Sequence, residues 1–129
     1  MNATGLIEVT IRNDVEGVLK LLESGINPNQ SDSARWTPLH YAAQNLNIRI
    51  AKLLSQHGAG IDNKDSNGNT PLWRATFNTR ADGDFIKMML EYGADPLSEN
   101  DSRVSPLDLA NRIDNYDMKK YFKTKQDRL

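Results

Sequence analysis

Apolar residues recur along this chain at the three- and four-residue spacing of helix faces, in short runs separated by polar stretches. The clearest run, over residues 48–56, places three apolar side chains on one helical face: Ile48, Ala51 and Leu54. A shorter helix is expected just before it, over 38–45, because Thr37 suits the N-cap and Pro38 suits the first helical position. The pattern therefore predicts an all-α fold built from pairs of short helices.

These pairs repeat along the chain. The word Thr37-Pro38-Leu39-His40 returns 33 residues later as Thr70-Pro71-Leu72-Trp73, and 35 residues after that as Ser105-Pro106-Leu107-Asp108. A second word, an apolar run closed by glycine, lies once upstream of the first copy and then after each of the first two copies, ending at Gly25, Gly58 and Gly93. Glycine at the end of a helix is typical of the left-handed C-terminal position. The two words in phase predict one helical pair per repeat.

The two words resemble those of the ankyrin-repeat family, whose signature Thr-Pro-Leu-His-x-Ala-Ala is complete at 37–43. The resemblance implies an all-α solenoid of four helix-turn-helix units with short hairpin fingers, forming a single domain over 1–129. The four units and the tail are expected at 4–36, 37–69, 70–104, 105–123 and 124–129. Degenerate first and last units fit capping repeats, and the third unit carries two extra residues, placed within 79–84.

The residues of the fingers and of the core follow from the same alignment of units. Asn67-Gly68 is a typical tight-turn pair. Arg35 and Arg103 stand where the family usually has that glycine, which predicts that the first and third fingers tip differently. A continuous core along the stack is expected from the apolar repeat positions: Leu39, Ala43, Ile50, Leu53, Leu72, Ala75, Ile86, Met89 and Leu107.

Composition narrows the classes of function. The chain has no cysteine, which excludes a disulfide framework and a thiolate metal site. A net charge of -1 gives no basic stripe for nucleic acid. No secretory signal and no bilayer-length apolar run are present, so we expect a soluble, cytoplasmic protein. The basic stretch 119–129 is interpreted as a solvated cap helix, with three side chains packed inward: Met118, Tyr121 and Phe122.

Motifs for catalysis and for metal binding were sought and none fits. A nucleophile elbow, a P-loop and a dinucleotide fingerprint are absent. The resemblance implies that His40 hydrogen-bonds neighbouring loops, while His57 lies at a helix end, where a cation suits the dipole. The loop that begins at Asn63 departs from a calcium loop, which needs Asp at its first position and Glu at its twelfth, here Arg74. We predict no enzyme, no cofactor and no metal.

The resemblance also implies a concave face, lined by finger tips and first helices, on which family members bind partners. Twelve positions of this chain match it: Trp36, Tyr41, Gln44, Asn45, Asn69, Arg74, Phe77, Asn78, Ser33, Ser66, Asp101 and Arg112. Trp36, Tyr41, Arg74 and Phe77 are expected to form one patch, because aromatics and arginine are the usual interface anchors. The alternative is that Trp36 and Phe77 shield neighbouring loops. Trp73, which replaces the family's histidine, is expected to be half-buried and structural.

The favoured hypothesis is a module that binds one other protein on this face and sequesters or inhibits it, the free chain being a monomer. A small four-repeat chain without attached domains also resembles bacterial immunity proteins that neutralise a cognate toxin, which is an analogy of fold. The alternative is an adaptor or scaffold subunit that bridges two proteins. An adaptor needs two separable binding faces, and a single-partner inhibitor needs one.

Overall fold

The computed structural model describes residues 5–78, 83–112 and 122. Within these residues the chain forms seven helices and no strand: α1 Leu6–Ile11, α2 Val15–Glu23, α3 Pro38–Gln44, α4 Ile48–Gln56, α5 Pro71–Asn78, α6 Asp84–Glu91 and α7 Pro106–Arg112. The predicted all-α repeat fold is confirmed. The helix expected over 38–45 ends one residue earlier, because Asn45 is its C-cap, and the helix expected over 48–56 has those bounds.

Helix ends follow the local chemistry of the sequence. The Thr37 hydroxyl accepts a hydrogen bond from the His40 amide at the start of α3, and Asn47 caps α4 in the same way. These side chains satisfy amides that have no partner inside a helix. At the other ends, the second helices of the first three units are each followed by a glycine with φ between 91° and 98°: Gly25, Gly58 and Gly93. The predicted left-handed glycines are confirmed.

The helices stack in two rows. The first-helix row consists of α1, α3, α5 and α7, each in contact with the next, and α2, α4 and α6 form the second-helix row in the same way. Most of the predicted core is fully buried between the rows: Leu39, Ala43, Ile50, Leu72, Ala75, Ile86 and Met89. Leu53 and Leu107 are only partly buried and pack against that core. Each unit therefore covers apolar surface that its neighbour could not bury alone.

Three fingers project between consecutive pairs of helices, at residues 32–36, 65–69 and 100–104, and we number them 1 to 3. Each begins with a side-chain oxygen that accepts two backbone amides of its own finger, at distances of 2.9 to 3.0 Å; the three residues are Asp32, Asp65 and Asn100. Neighbouring fingers are joined through the backbone. The amide of Ser66 donates to the carbonyl of Ala34, and the amide of Asp101 donates to the carbonyl of Asn67, both at 3.0 Å.

The prediction that fingers 1 and 3 tip differently is wrong. Arg35 and Arg103 adopt left-handed φ angles of 63° and 62°, close to the 81° of Gly68 in finger 2. The amides of all three residues donate to the carbonyl of the first residue of their finger, at 2.8 to 2.9 Å. A left-handed conformation costs a residue with a Cβ about 1–2 kcal/mol, and the shared hydrogen bonds outweigh that cost.

Some expectations concern residues outside the described ranges. The two extra residues of the third unit were placed within 79–84, of which only 83 and 84 are described. Met118, Tyr121 and the tail from residue 123 also lie outside, whereas Phe122 is fully buried, as predicted. In the described part of the chain, no helix has the length and apolar character needed to cross a membrane.

Candidate functional site

Aromatic rings and one guanidinium gather where finger 1 meets α3 and α5. The rings of Trp36 and Tyr41 lie 4.8 Å apart at an angle of 51°. The guanidinium carbon of Arg74 lies 4.8 Å from the centre of the Trp36 ring, 5.6 Å from Trp73 and 6.0 Å from Phe77. At these distances the cation is attracted by the ring faces. We call these five residues the arginine–aromatic cluster.

The repeat explains why these side chains meet. Arg74 follows Tyr41 by 33 residues, so the two occupy the same position on neighbouring first helices. Trp73 and Phe77 are four residues apart on α5 and stack with an angle of 14° and 5.6 Å between ring centres. Trp36 ends finger 1, directly before the N-cap of α3. The patch predicted from Trp36, Tyr41, Arg74 and Phe77 therefore forms in the structure.

The cluster is partly open to solvent. Phe77 is 57% exposed, and Trp36, Tyr41, Trp73 and Arg74 are each partly buried. Two of its polar atoms, Nε of Arg74 and Nε1 of Trp73, are buried without a hydrogen-bond partner among the described residues. Within the described residues, the guanidinium of Arg74 makes no ion pair and no hydrogen bond. Among the described residues, the guanidinium of Arg74 is therefore in contact with ring faces and not with a carboxylate.

Tyr41 lies at the other end of the cluster and is engaged inside the protein. Its hydroxyl donates to the Oδ2 atom of Asp32. Desolvation raises the pKa of Asp32, but hydrogen bonds from Tyr41 and from the amides of Trp36 and Ala34 outweigh it, so this pKa lies below its ordinary value. Burial, with the bond to Asp32, raises the pKa of Tyr41 to about 12. The hydrogen bond between Tyr41 and Asp32 attaches finger 1 to α3. The carboxylate of Asp32 is therefore bonded within the protein.

His40 connects α3 to finger 2, at the end of the second unit. Its Nδ1 atom accepts from the Thr37 amide at 3.1 Å, and its Nε2 atom donates to the Asn69 carbonyl at 2.8 Å. Burial lowers the pKa of His40, because the buried ring favours the neutral form. The predicted structural role of His40 is confirmed, and its ring also lies 5.7 Å from that of Trp36.

Comparison with known proteins identifies the repeat. A family model described as ankyrin repeats (three copies) matches residues 6–122. The chain belongs to the ankyrin-repeat family. A protein of Rickettsia bellii named for its ankyrin repeats is 32% identical over 72% of this chain and 48% of its own length. Another, from fowlpox virus, is 34% identical over 91% of this chain and 36% of its own length.

Mouse 2-5A-dependent ribonuclease, an enzyme by name, is 41% identical over 53% of this chain and only 9% of its own length. The chain thus spans less than half of the length of each of these relatives. Ankyrin repeats are protein-interaction modules, and the family is generally non-enzymatic. The similarity to the ribonuclease concerns the repeats and carries no nuclease activity to this chain.

This ankyrin-repeat chain departs from the family signature in its third unit, where Trp73 takes the position of His40. Trp73 is partly buried, as expected, but its Nε1 atom makes no bond to finger 3 equivalent to the one that His40 makes to finger 2. A different bond joins those fingers: the Nδ2 atom of Asn100 donates to Oδ1 of Asn69 at 2.8 Å. Trp73 instead joins the arginine–aromatic cluster.

The remaining predicted site residues differ in their exposure and in the hydrogen bonds that they make. Several are exposed on the fingers or first-helix row: Ser33, Gln44, Asn45, Ser66, Asp101 and Arg112. Gln44 and Asn45 also link units, because Gln44 accepts a hydrogen bond from partly buried Asn78 at 2.7 Å and Asn45 donates to Asn13 at 3.3 Å. Asn69 was expected on the binding surface but is only 5% exposed. It is a structural residue, because His40 and Asn100 both bond to it.

Two members of the site were not recognised in the sequence as part of it. Asp32 holds Tyr41, and the available signal was its period: Asp65 and Asn100 begin the next two fingers. Trp73 was assigned a structural role alone, although its spacing of four residues from Phe77 indicates a shared helix face. Asp32 was missed because its contribution depends on Tyr41 in the neighbouring unit.

Proposed function

We propose that this chain binds one partner protein through the face formed by its fingers and first-helix row, with the arginine–aromatic cluster as the anchor. The observation that carries this proposal is the cluster itself, in which a 57% exposed Phe77 lies beside a guanidinium without a carboxylate partner among the described residues. Exposed aromatic and arginine side chains in contact are what interface hot spots contain. A monomeric protein in water gains little from exposing them otherwise.

We propose further that binding sequesters or inhibits that partner. All members of the cluster lie on one face, which suits a single interface. The second-helix row instead exposes separate charged side chains, such as Lys52 on α4 and Lys87 on α6. An adaptor would need a second binding face of its own. A toxin is one candidate partner, suggested only by the analogy with small immunity proteins, and a cytoplasmic location stays a prediction.

The test is calorimetric titration of the full chain with the protein that co-purifies with it. Arg74→Ala and Phe77→Ala should each cost roughly 2 kcal/mol or more of binding, about a thirtyfold loss of affinity. Lys52→Ala and Lys87→Ala, on the second-helix row, are the matched controls and should change affinity little. Thermal melts of the same variants separate a loss of binding from a loss of folding.

Two outcomes would count against the proposal. If the lysine variants lose the partner and the cluster variants keep it, the face is wrongly assigned. If two proteins bind at once, each lost on mutation of a different row, the chain is an adaptor. For the toxin hypothesis, co-expression with the candidate should restore growth in wild type and fail to do so with Arg74→Ala.

A further inference from the structure

Arg74 is only partly buried and has no carboxylate partner among the described residues, and the repeat shows how this differs from the preceding unit. In the second unit, Tyr41 reaches the first residue of finger 1 and donates to Asp32. The equivalent residues one unit later are Arg74 and Asp65. These two are oppositely charged, yet no ion pair joins them, and Oδ2 of Asp65 is buried without a hydrogen-bond partner in the described part of the chain. Arg74 lies instead against three of the four rings of the cluster.

Three ring faces surround the guanidinium and restrict where it can lie. Its carbon lies within 6.0 Å of the centres of Trp36, Trp73 and Phe77, so a ligand that binds it does not have to order a free side chain. A planar guanidinium matches the two oxygens of a carboxylate. Phe77, 57% exposed beside it, offers apolar area to whatever residue follows or precedes that carboxylate.

The charges around the cluster favour an acidic partner. Three further arginines are exposed on the same face, Arg35 and Arg103 on the fingers and Arg112 at the end of α7. The acids there are mostly engaged within the protein: Asp32 accepts from Tyr41 and two amides, and Glu8 pairs with Arg12 at 2.7 Å. Among the finger residues only Asp101 is an exposed acid. The face thus has more available positive than negative charge.

We propose, resting on the function proposed above, that Arg74 binds the carboxylate of an aspartate or glutamate in a short segment of the partner, whose adjacent apolar side chain packs on Phe77. A phosphate group fits less well. It carries nearly two negative charges and favours several cations, whereas Arg74 is the only cation in the cluster and the carboxylate of Asp32 lies nearby, bonded to Tyr41.

The probe is a phage-displayed library of random peptides, selected on the immobilised full chain. The enriched peptides should carry Asp or Glu next to an aromatic or branched apolar residue. One such peptide is then synthesised and its Kd measured by tryptophan fluorescence. Arg74→Gln should weaken binding at least about tenfold, the loss of roughly 1.4 kcal/mol. Arg49→Gln, the same change at an exposed arginine of α4, is the matched control and should leave Kd within about twofold.

A double-mutant cycle isolates the contact. Replacing the acidic residue of the peptide by its amide should weaken binding to wild type about as much as Arg74→Gln does, and have little further effect on that variant. Replacing it by phosphoserine should not tighten binding. Equal losses against both chains, enrichment without acids, no enrichment, or a tighter phosphopeptide would each overturn the carboxylate assignment.

The same data distinguish this inference from the broader proposal. If the acid proves unimportant but Phe77→Ala still weakens the peptide about tenfold, the face binds partners and only the carboxylate contact is refuted. If Arg74→Gln and Phe77→Ala are both without effect on a peptide that binds, the face itself is wrong.

Discussion

The contribution of the link that His40 makes between α3 and finger 2 can be measured by replacing His40 with glutamine. Glutamine at this third helical position can still accept a hydrogen bond from the Thr37 amide, as in a capping box. While its side chain makes that bond, it does not reach the Asn69 carbonyl as well. The variant therefore removes the donor to the Asn69 carbonyl, at 2.8 Å in the wild type. That carbonyl also accepts from the Asp65 amide at 2.9 Å, so it is not left without a partner.

The expected loss of stability follows from that difference. One buried hydrogen bond contributes about 0.5–1.5 kcal/mol, and an unsatisfied group costs more. The Asn69 carbonyl keeps one donor, the Asp65 amide, but the substitution also changes the shape of a fully buried side chain. We therefore expect His40→Gln to lower the free energy of unfolding by about 2 kcal/mol. Urea denaturation at neutral pH measures it. The same substitution at exposed His57 is the control and should stay within about 0.5 kcal/mol of wild type.

The pH dependence supplies an independent check. Burial lowers the pKa of folded His40 below its ordinary value of 6.5. The unfolded chain therefore takes up a proton that the folded chain does not, and the stability present above pH 6.5 is lost as the pH falls. The slope from one such group cannot exceed about 1.4 kcal/mol per pH unit. His40→Gln should unfold with a shallower slope, so that it differs less from wild type in acid.

If His40→Gln matches wild type both in urea midpoint at neutral pH and in slope below pH 6.5, the histidine does not carry the link between α3 and finger 2. A loss of stability with an unchanged slope would mean that the bond matters but that the ring does not titrate in the way described.

Two other predictions concern the helix ends and finger 1. Gly58→Val should destabilise the fold by about 1–3 kcal/mol, because φ near 98° strains a residue with a side chain even though a Cβ would meet nothing within 4 Å. Urea denaturation tests this, with Ser66→Ala on the exposed finger as a near-neutral control, and equal stability of the two variants would contradict it. Asp32→Asn should lower the pKa of Tyr41 from about 12 towards 10.0 by removing the charge that holds its proton; spectrophotometric titration measures it, and an unchanged Tyr41 titration would refute the assigned contact.

The repeat made most of the fold predictable from the sequence. Period and helical spacing gave the helix pairs, and the closing glycines gave their ends, because these features depend on neighbours within one unit. The error at Arg35 and Arg103 has a physical cause. Residue type alone favours glycine at a left-handed position, whereas the conformation there is held by hydrogen bonds to the first residue of each finger.

The candidate site was only partly predictable for a related reason. Trp36, Tyr41, Arg74 and Phe77 were grouped correctly because equivalent positions in consecutive units lie side by side. Burial of Asn69 was not foreseen, since it depends on His40, 29 residues earlier on α3, and on Asn100 from the following finger. Contacts between units differ wherever the repeats differ in sequence, so the repeat signature alone does not predict them.

The backbone bonds that join the fingers have a consequence for the speed and selectivity of recognition. Finger 1 bonds to finger 2 through Ser66 and Ala34, and finger 2 bonds to finger 3 through Asp101 and Asn67. Loops coupled in this way adopt one arrangement before a ligand binds. Recognition therefore uses a preformed surface that selects ligands of complementary shape and does not rearrange to fit others. Such a surface is expected to associate without a slow rearrangement step, and to discriminate among ligands chiefly by how quickly they leave.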